Sequence, residues 1–274
     1  MFEGVGSTII QAIKNPLVAI ISLTMMYASR LQSIYDEYGA YFGMSVNLKG
    51  DLLAVGAPGK DKTHVYRSGS LGWAEEAILT HPSSSTGKKY GSKVVIDGDI
   101  LVVGCPHDSA TGASAGAAFI YTSSSVDNAW TFVQGLTPHA TEGSSAIATC
   151  RFGSGVAIDG TNIMVGAPWF NDSISNGDYD GRAYLYTSGA LGWDRDKTFA
   201  PDGNRVGPYM GTNVSISGDY LFIGAYAEDG DENNSGVAYM YEPTAVTTIV
   251  DAEPTYAKGA MSTFNIRKQS SDQY

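Results

Sequence analysis

The sequence predicts an all-β fold assembled from repeated units, and three features of the chain carry this prediction. A glycine that opens a strand–turn–strand pattern recurs at Gly43, Gly91, Gly153 and Gly211, roughly 50–60 residues apart, which is typical of repeat architectures. Each copy contains short apolar stretches with strand periodicity rather than helix periodicity. Glycine is abundant, with 33 residues in a chain of 274, as turn-rich repeats require.

Each copy begins as a β-hairpin. Apolar residues alternate from Phe42 to Leu48, which predicts a strand with one better-buried face. Asp97-Gly98 and its equivalents supply a positive φ angle for a two-residue turn. An unbroken apolar run such as Ile100–Val103 follows, and such a run is typical of a strand covered on both faces. Gly-Ala-Pro or a variant of it ends the strand in most copies, because proline cannot donate a hydrogen bond to the ladder.

Two further strands complete each copy. A variable loop leads to a third apolar strand that ends in tyrosine. The segment after it is nearly the same in two copies, at Ser68–Trp73 and Ser188–Trp193. Trp130 occupies the matching place in the second copy, so each tryptophan is expected to open a fourth strand. Four short strands per repeat of roughly 50 residues form the blade of a β-propeller. We therefore expect the second strands to be covered, with these residues almost fully buried: Val55, Val103, Val165 and Ile223.

The repeated motif also resembles a known family. Phe42-Gly43, Phe152-Gly153 and the later Gly-Ala-Pro stretches resemble the FG-GAP repeat, which builds the propeller of integrin α-subunits and of many secreted or surface proteins. The resemblance extends over about residues 41–242. The resemblance implies a propeller fold. It leaves the function and the ligand open, because one fold hosts many functions.

The chain divides into three parts by composition. Residues 1–38 contain the apolar run Pro16–Ala28, which is expected to be helical and to act as a signal or a short anchor, because it is too short for an ordinary membrane span. Residues 39–243 hold the four blades. Residues 244–274 form a C-terminal segment with a candidate closing strand and a polar tail.

The number of blades stays open. The fourth copy has no tryptophan strand after Tyr241, so another segment must supply its fourth strand, and Ser29–Ile34 is one candidate. Val246–Val250 is a further candidate strand in the C-terminal segment. The termini can build a degenerate fifth blade, four blades can close alone, or the ring can be incomplete within one chain.

Charge and motif content exclude several classes of function. The net charge of −11 argues against nucleic-acid binding, which needs a basic surface. The sequence has no nucleophile elbow, zinc-protease motif, phosphate loop or dinucleotide fingerprint, so no catalytic and no organic-cofactor residues are assigned. The two cysteines, Cys105 and Cys150, are either small buried residues or an inter-blade disulfide, and the sequence does not decide between them.

Acidic loops before the third strands suggest calcium. In the fourth copy, Asp229, Asp231 and Asn233 alternate, as oxygen ligands do at positions 1, 3 and 5 of calcium loops. The loop has Asn234 where glycine is usual, and no clear bidentate acid closes it. The resemblance to integrin-type blades implies calcium in such a loop. A second set lies in the third copy: Asp172, Asp178 and Asp180.

These observations predict a non-enzymatic extracellular or cell-surface propeller. Its expected partner is a protein or glycan bound on the loop rims, because loops on a rigid scaffold commonly carry binding. A homo-oligomer or a larger assembly is also expected, and any membrane contact is expected only through the N-terminal segment. Two alternatives stay open, namely a polysaccharide-acting enzyme that uses the propeller channel and a structural subunit of a large assembly.

Overall fold

The computed structural model describes residues 38–84, 86–124, 126–138, 148–171, 179–201, 209–228 and 235–242, together with the backbone of 262–263. All of these residues belong to one compact unit, Ser33–Tyr274. Within these ranges every regular element is a β-strand. The same ranges contain no helix with the length and apolar character that a membrane crossing requires. The apolar N-terminal run and the candidate strands Ser29–Ile34 and Val246–Val250 lie outside them.

The strands form four antiparallel four-stranded sheets in chain order, which we call blades 1 to 4. Blade 1 contains β1 (Ser45–Lys49), β2 (Leu52–Ala57), β3 (Lys62–Gly69) and β4 (Gly72–Thr80). Blade 2 contains β5 (Lys93–Asp97), β6 (Ile100–Cys105), β7 (Ala117–Ser123) and β8 (Trp130–Leu136). Blade 3 contains β9 (Gly155–Asp159), β10 (Asn162–Ala167), β11 (Arg182–Gly189) and β12 (Gly192–Phe199). Blade 4 contains β13 (Val214–Ser217), β14 (Tyr220–Ala225), β15 (Val237–Tyr241) and β16 (Ser262–Thr263).

The local predictions for each blade are confirmed. The turn glycine between the first and second strands has a positive φ angle, for example +56° at Gly98 and +55° at Gly160. Each predicted tryptophan lies at or next to the start of a fourth strand, as Trp193 does in β12. The four marker residues on the second strands are at most 2% exposed: Val55, Val103, Val165 and Ile223. The all-β propeller architecture is therefore established.

The outer strand of blade 4 comes from the C-terminal segment rather than from the residues that directly follow β15. Ser262 and Thr263 pair antiparallel with Met240 and Tyr239 of β15. This C-terminal pair of residues occupies the position that the tryptophan-led strand occupies in blades 1 to 3. The structure thus shows one source for the strand that the fourth copy lacks.

Consecutive blades pack face to face around a common centre. The first strands β1, β5, β9 and β13 contact one another in that order. The core clusters lie between the blades, as where Ala54 of blade 1 packs with Val94 and Val103 of blade 2. Within the described part of the chain, no packing of comparable extent joins β13 back to β1. Among the described residues, the four blades therefore form an array with two ends, and we call the outward face of blade 1 the leading face and that of blade 4 the trailing face.

The two ends correct two expectations. The apolar side of the first strand was expected to be the better-buried side, whereas in blade 1 Val46 and Leu48 are 61% and 59% exposed. The second strand was expected to be covered on both faces, whereas in β14 Tyr220 and Phe222 are 51% and 44% exposed. The reason is the same at both ends, because no further blade covers these faces within the described residues.

Candidate functional site

One edge of the propeller, which we call the loop rim, gathers the connections that vary between blades. It consists of the loops between second and third strands and the connections from each fourth strand to the next blade. Backbone hydrogen bonds join these two kinds of loop. His107 N donates to Lys88 O at 3.0 Å and Trp169 N donates to Cys150 O at 3.1 Å. Because an antiparallel meander reverses at every turn, the hairpins between first and second strands lie at the opposite edge.

A repeated left-handed residue shapes the rim. The residue before each aromatic–glycine or methionine–glycine pair has a positive φ angle: Tyr41 (55°), Lys89 (61°), Arg151 (55°) and Tyr209 (51°). Bulky non-glycine residues rarely adopt this conformation, and where they do the surrounding structure must hold them there. In each case the carbonyl oxygen accepts the N–H three residues later, as from Ser154 to Arg151 at 3.2 Å. The four side chains therefore start from equivalent positions.

Three of these side chains stack on aromatic rings of the rim. The Lys89 ammonium lies 5.6 Å from the centre of the Tyr41 ring, and the Arg151 guanidinium lies 3.4 Å from the centre of the Trp169 ring. Tyr209 stacks on Tyr226 with centroids 5.4 Å apart and planes 13° apart. Such cation–π and aromatic contacts hold large side chains in fixed positions.

The aromatic contacts form a continuous aromatic row across blades 3 and 4. Trp169 lies 4.9 Å from Tyr179 and 6.3 Å from Tyr209, measured between ring centroids. Tyr179 lies 6.1 Å from Tyr209, which in turn contacts Tyr226. The first three rings are partly buried, whereas Tyr226 is 62% exposed. The row, with Arg151 at one end, is a solvent-accessible surface of rigid aromatic groups.

Buried polar pairs support the loops beneath the rim. Each loop contains a residue whose N–H donates a hydrogen bond to the carbonyl oxygen of the last residue of the second strand. In two blades this residue is a buried acid, Asp108 or Glu228. The Tyr239 hydroxyl lies 2.6 Å from both carboxylate oxygens of Glu228. In blade 1 the carboxylate of Asp61 accepts the N–H groups of Gly87 and Tyr90. These bonds stabilise the loops because a buried carboxylate is costly without donors.

A further buried cluster lies between blades 1 and 2. His81 Nδ1 accepts the N–H of Ser83 at 3.2 Å, so the other ring nitrogen carries the proton and donates to Asp108 at 2.7 Å. The Phe119 ring lies 4.8 Å from the His81 ring in an edge-on arrangement. The ligand atoms of His81, Cys105 and Asp108 lie within 4.8 Å of one another, so these three side chains could hold a divalent metal. A metal would displace the His81–Asp108 hydrogen bond and the thiol proton, and the cluster is already a satisfied hydrogen-bonded cross-link without it.

The two cysteines are separate thiols. Cys105 and Cys150 are both free and buried. The Cys105 thiol donates to Lys88 O and the Cys150 thiol to Ala115 O, at 3.2 and 3.1 Å. Burial raises the pKa of Cys105, and the negative charges of Asp108 and Asp61 raise it further. Of the two alternatives left open by the sequence, the structure shows two small buried residues.

The predicted calcium residues fall mostly outside the described ranges. Asp229, Asp231 and Asn233, as well as Asp172 and Asp178, lie outside them. Asp180 is partly buried at the end of the third loop, where its carbonyl oxygen accepts the N–H of Met210 at 3.1 Å. Asp180 follows Tyr179, so the structure brings one predicted ligand next to the aromatic row.

The centre of the propeller holds a pocket of about 290 Å³ lined by β1, β5, β9 and β13. Lys49 and Asp97 form an ion pair of 3.2 Å there. Asp97 also accepts the N–H of Gly160 in the next blade at 2.8 Å. This backbone N–H lowers the pKa of Asp97, and Lys49 lowers it further. The charged groups of the pocket therefore link neighbouring blades.

The repeated geometry agrees with the comparison to known families. The model of the FG-GAP repeat matches residues 36–71, 73–121, 130–186 and 193–241. The chain belongs to the FG-GAP repeat family. This FG-GAP protein is also similar to two solved structures at 10% identity. One is the computationally designed Ika4 protein, with a TM-score of 0.45 over 76% of this chain and 94% of that chain. The other is the GH43 endo-arabinanase from Bacillus licheniformis, with a TM-score of 0.36 over 74% and 72%. No curated protein matches.

Sequence reasoning missed the features that organise the rim of this FG-GAP protein. The left-handed residues carry no common side-chain type, since they are Tyr41, Lys89, Arg151 and Tyr209. Glu228, which faces inward, belongs by sequence to the acidic fourth loop and has no side-chain feature that marks it as buried. Its position three residues after the end of the second strand, shared with Asp108, was the signal that pointed inward.

Proposed function

We propose that this FG-GAP protein is a non-enzymatic extracellular or surface module that binds a macromolecular ligand, a protein or a glycan, on its loop rim. The observation that carries the proposal is the aromatic row of Trp169, Tyr179, Tyr209 and Tyr226 with Arg151 stacked at its end. Tryptophan, tyrosine and arginine are the residues most enriched at binding hot spots.

The rigidity of the row supports a binding role. A ring that is already held by its neighbours loses little conformational freedom when a ligand covers it. The left-handed backbone at Arg151 and Tyr209 and the hydrogen bond from Met210 to Asp180 hold the row from below. Tyr226 offers the largest exposed surface within the row. A ligand that buries these rings gains apolar contact while the hydroxyl groups remain able to form hydrogen bonds.

Charge and the central pocket favour a binding module over the rival functions. The net charge of −11 disfavours nucleic acid as the ligand. In the central pocket, Lys49 pairs with Asp97, and Asp97 also binds Gly160. These charged groups hold neighbouring blades together, which favours a binding function over hydrolysis or elimination of a polysaccharide in the channel. The structural-subunit alternative gains support from the uncovered faces at both ends of the blade array.

Calcium is part of the proposal. The third loop ends beside the aromatic row at Tyr179, and the fourth loop begins beside it at Tyr226. A calcium ion held by Asp229, Asp231 and Asn233 would fix the fourth loop, and the acids of the third loop would do the same there. Ordered loops would then extend the rigid binding surface.

The experiment compares ligand selection by the full chain and by rim variants. The parent protein is screened on a glycan microarray and used to enrich a phage-displayed peptide library. Binding of the enriched ligands is then measured for Trp169→Ala and Tyr226→Ala. Trp73→Ala is the matched control, because this partly exposed tryptophan lies in the β3–β4 hairpin at the opposite edge.

We expect at least tenfold weaker binding in both rim variants and unchanged binding in the control. Peptide enrichment alone would identify the ligand as protein, and glycan signals alone would identify it as carbohydrate. If neither library yields a ligand, or if all three variants bind as well as the parent, the rim is not a binding site.

A further inference from the structure

Every described blade–blade interface depends on one close approach between glycines. A β-carbon built on Gly56 would lie 2.0 Å from the carbonyl oxygen of Gly91 in the next blade. The same construction places a β-carbon of Gly104 2.1 Å from Gly153 O, and one of Gly166 1.8 Å from Gly211 O. These distances are far below contact, so any side chain there would push the blades apart. Glycine on the second strand is thus required wherever a following blade packs against it.

The glycine of the following blade is equally enclosed. A β-carbon on Gly91 would lie 2.4 Å from Lys62 O, and one on Gly153 would lie 2.3 Å from Ala117 O. The interface therefore has two halves. The trailing half is the second-strand glycine, and the leading half is the glycine that precedes the first strand.

The two ends of the array carry these halves without a counterpart among the described residues. At the leading end, a β-carbon on Gly43 would meet nothing within 4 Å. At the trailing end, a β-carbon on Gly224 would first meet Asn213 of its own blade, at 3.6 Å. Both glycines keep the positions that the interior interfaces use.

The apolar parts of the interface are uncovered in the same way. Val46 and Leu48 on the leading face are 61% and 59% exposed, whereas their equivalents Val94 and Ile96 in blade 2 are 1% and 3% exposed. Phe222 on the trailing face is 44% exposed. Its equivalents Val102 and Met164 are fully buried against the next blade. Exposed apolar faces of this kind mark interaction surfaces.

We propose that the leading and trailing faces are the two halves of a fourth blade–blade interface, and that a second copy of this chain supplies the missing half. Blade 1 of one copy packs on blade 4 of the other. Phe42-Gly43 of the partner would approach Gly224, and the partner's Val46 and Leu48 would cover Phe222. The contact is heterologous, because the two faces are different surfaces of the same chain.

Two observations favour a second copy over the chain's own termini. The interior interfaces use a glycine preceded by an aromatic residue or methionine, as in Tyr90-Gly91 and Met210-Gly211. Segments 1–37 and 243–274 contain no such dipeptide, because their three glycines, Gly4, Gly6 and Gly259, follow Glu3, Val5 and Lys258. The family match likewise covers four repeats within residues 36–241. A complete leading face therefore occurs in blade 1 and in no terminal segment of the sequence.

Reciprocal pairing would close the assembly. If blade 4 of each copy receives blade 1 of the other, two chains of four blades each form one ring, within the range of up to about eight blades known for propellers. If the rotation between copies does not close, the same contact produces an open chain of copies.

The test measures the mass of the full-length protein by analytical ultracentrifugation over a range of concentrations. We expect the parent to form dimers or longer assemblies. Gly224→Ala should abolish them, because its β-carbon fits within its own blade but would meet the partner's backbone. Val46→Lys should abolish them from the other side. Leu191→Lys is the matched control, since this fully exposed leucine lies at a hairpin tip away from both faces.

Mixing the two variants distinguishes this contact from a symmetric one. Gly224→Ala retains an intact leading face, and Val46→Lys retains an intact trailing face. An equal mixture should therefore form a dimer with one interface and no larger species. A parent that stays monomeric, an association unchanged in Gly224→Ala or Val46→Lys, or a loss of association in Leu191→Lys would overturn the proposal. Unchanged circular dichroism and Tm of each variant show that its blades remain folded.

Discussion

The Tyr239 hydroxyl lies 2.6 Å from both carboxylate oxygens of Glu228, and both residues are almost fully buried. Glu228 begins the fourth loop and Tyr239 lies on the strand that the loop enters. The hydrogen bond therefore joins the two ends of the most acidic loop of the chain. It turns the first acid of that loop into the blade.

We expect Tyr239→Phe to reduce the free energy of unfolding by about 1–3 kcal/mol, because it removes a donor from a buried carboxylate. Urea unfolding of the parent and the variant measures the change. The double variant Tyr239→Phe, Glu228→Leu should regain part of the loss, since it also removes the buried charge. A Tyr239→Phe variant as stable as the parent would show that the bond contributes nothing.

Asp97 gives a pH-dependent contribution to stability. Its pKa is lowered by the N–H of Gly160 and by Lys49, so the folded state favours the charged carboxylate. The stabilisation is fully present above the unfolded-state pKa of about 3.9 and is lost as the pH falls through the lower folded-state pKa. Asp97→Asn should therefore be less stable than the parent at pH 7, and the difference should shrink below about pH 4.

Chemical denaturation at a series of pH values between neutral and acidic conditions measures this difference. Asp196→Asn is the control, because Asp196 is exposed and forms its ion pair with its own neighbour in the chain, Lys197. A stability difference that is the same at every pH would contradict the role assigned to the Asp97 charge.

The second-strand glycines at the interior interfaces should tolerate no side chain, whereas Gly224 on the trailing face should tolerate one. Gly104→Ala places a β-carbon 2.1 Å from Gly153 O, and we expect a loss of about 1–3 kcal/mol in unfolding free energy from overpacking. Gly224→Ala has no such contact among the described residues of its own chain, so it should lower the unfolding free energy of the monomeric protein by much less. Thermal and urea unfolding at a protein concentration where the chain is monomeric compares them. Equal losses would mean that the clash does not govern the interface.

Calcium should raise the Tm of the protein through the fourth loop. A cation that binds the folded state at Asp229, Asp231 and Asn233 stabilises that state by mass action, and weak affinity is expected because no bidentate acid closes the loop. The measurement is a calcium titration by thermal unfolding. Asp231→Ala should lose most of the rise, and Asp178→Ala reports on the third loop.

Asp196→Ala serves as the control for charge alone. This exposed acid lies on β12, outside both loops, and its removal should leave the calcium response unchanged. If the parent shows no calcium-dependent rise in Tm, or if Asp231→Ala shows the same rise, the fourth loop is an ordinary acidic turn.

The sequence by itself determined the blade. Strand alternation, the glycine turns and the tryptophan positions depend on neighbours within a few residues, so Gly98, Trp193 and the burial of Val103 were all predictable from local pattern. Each local pattern also occurs in four copies, so each copy supports the interpretation of the others. The same locality explains why the family resemblance extended over most of the chain.

Only the tertiary structure decided which faces are covered and which side chains meet. Val46 and Val94 occupy equivalent positions with the same residue type, yet one is 61% and the other 1% exposed, because only Val94 has a preceding blade. His81 and Asp108 meet across two blades, and Trp169 and Tyr209 meet across two loops. Such contacts join residues that are distant in sequence, and burial depends on what the rest of the chain places opposite each strand.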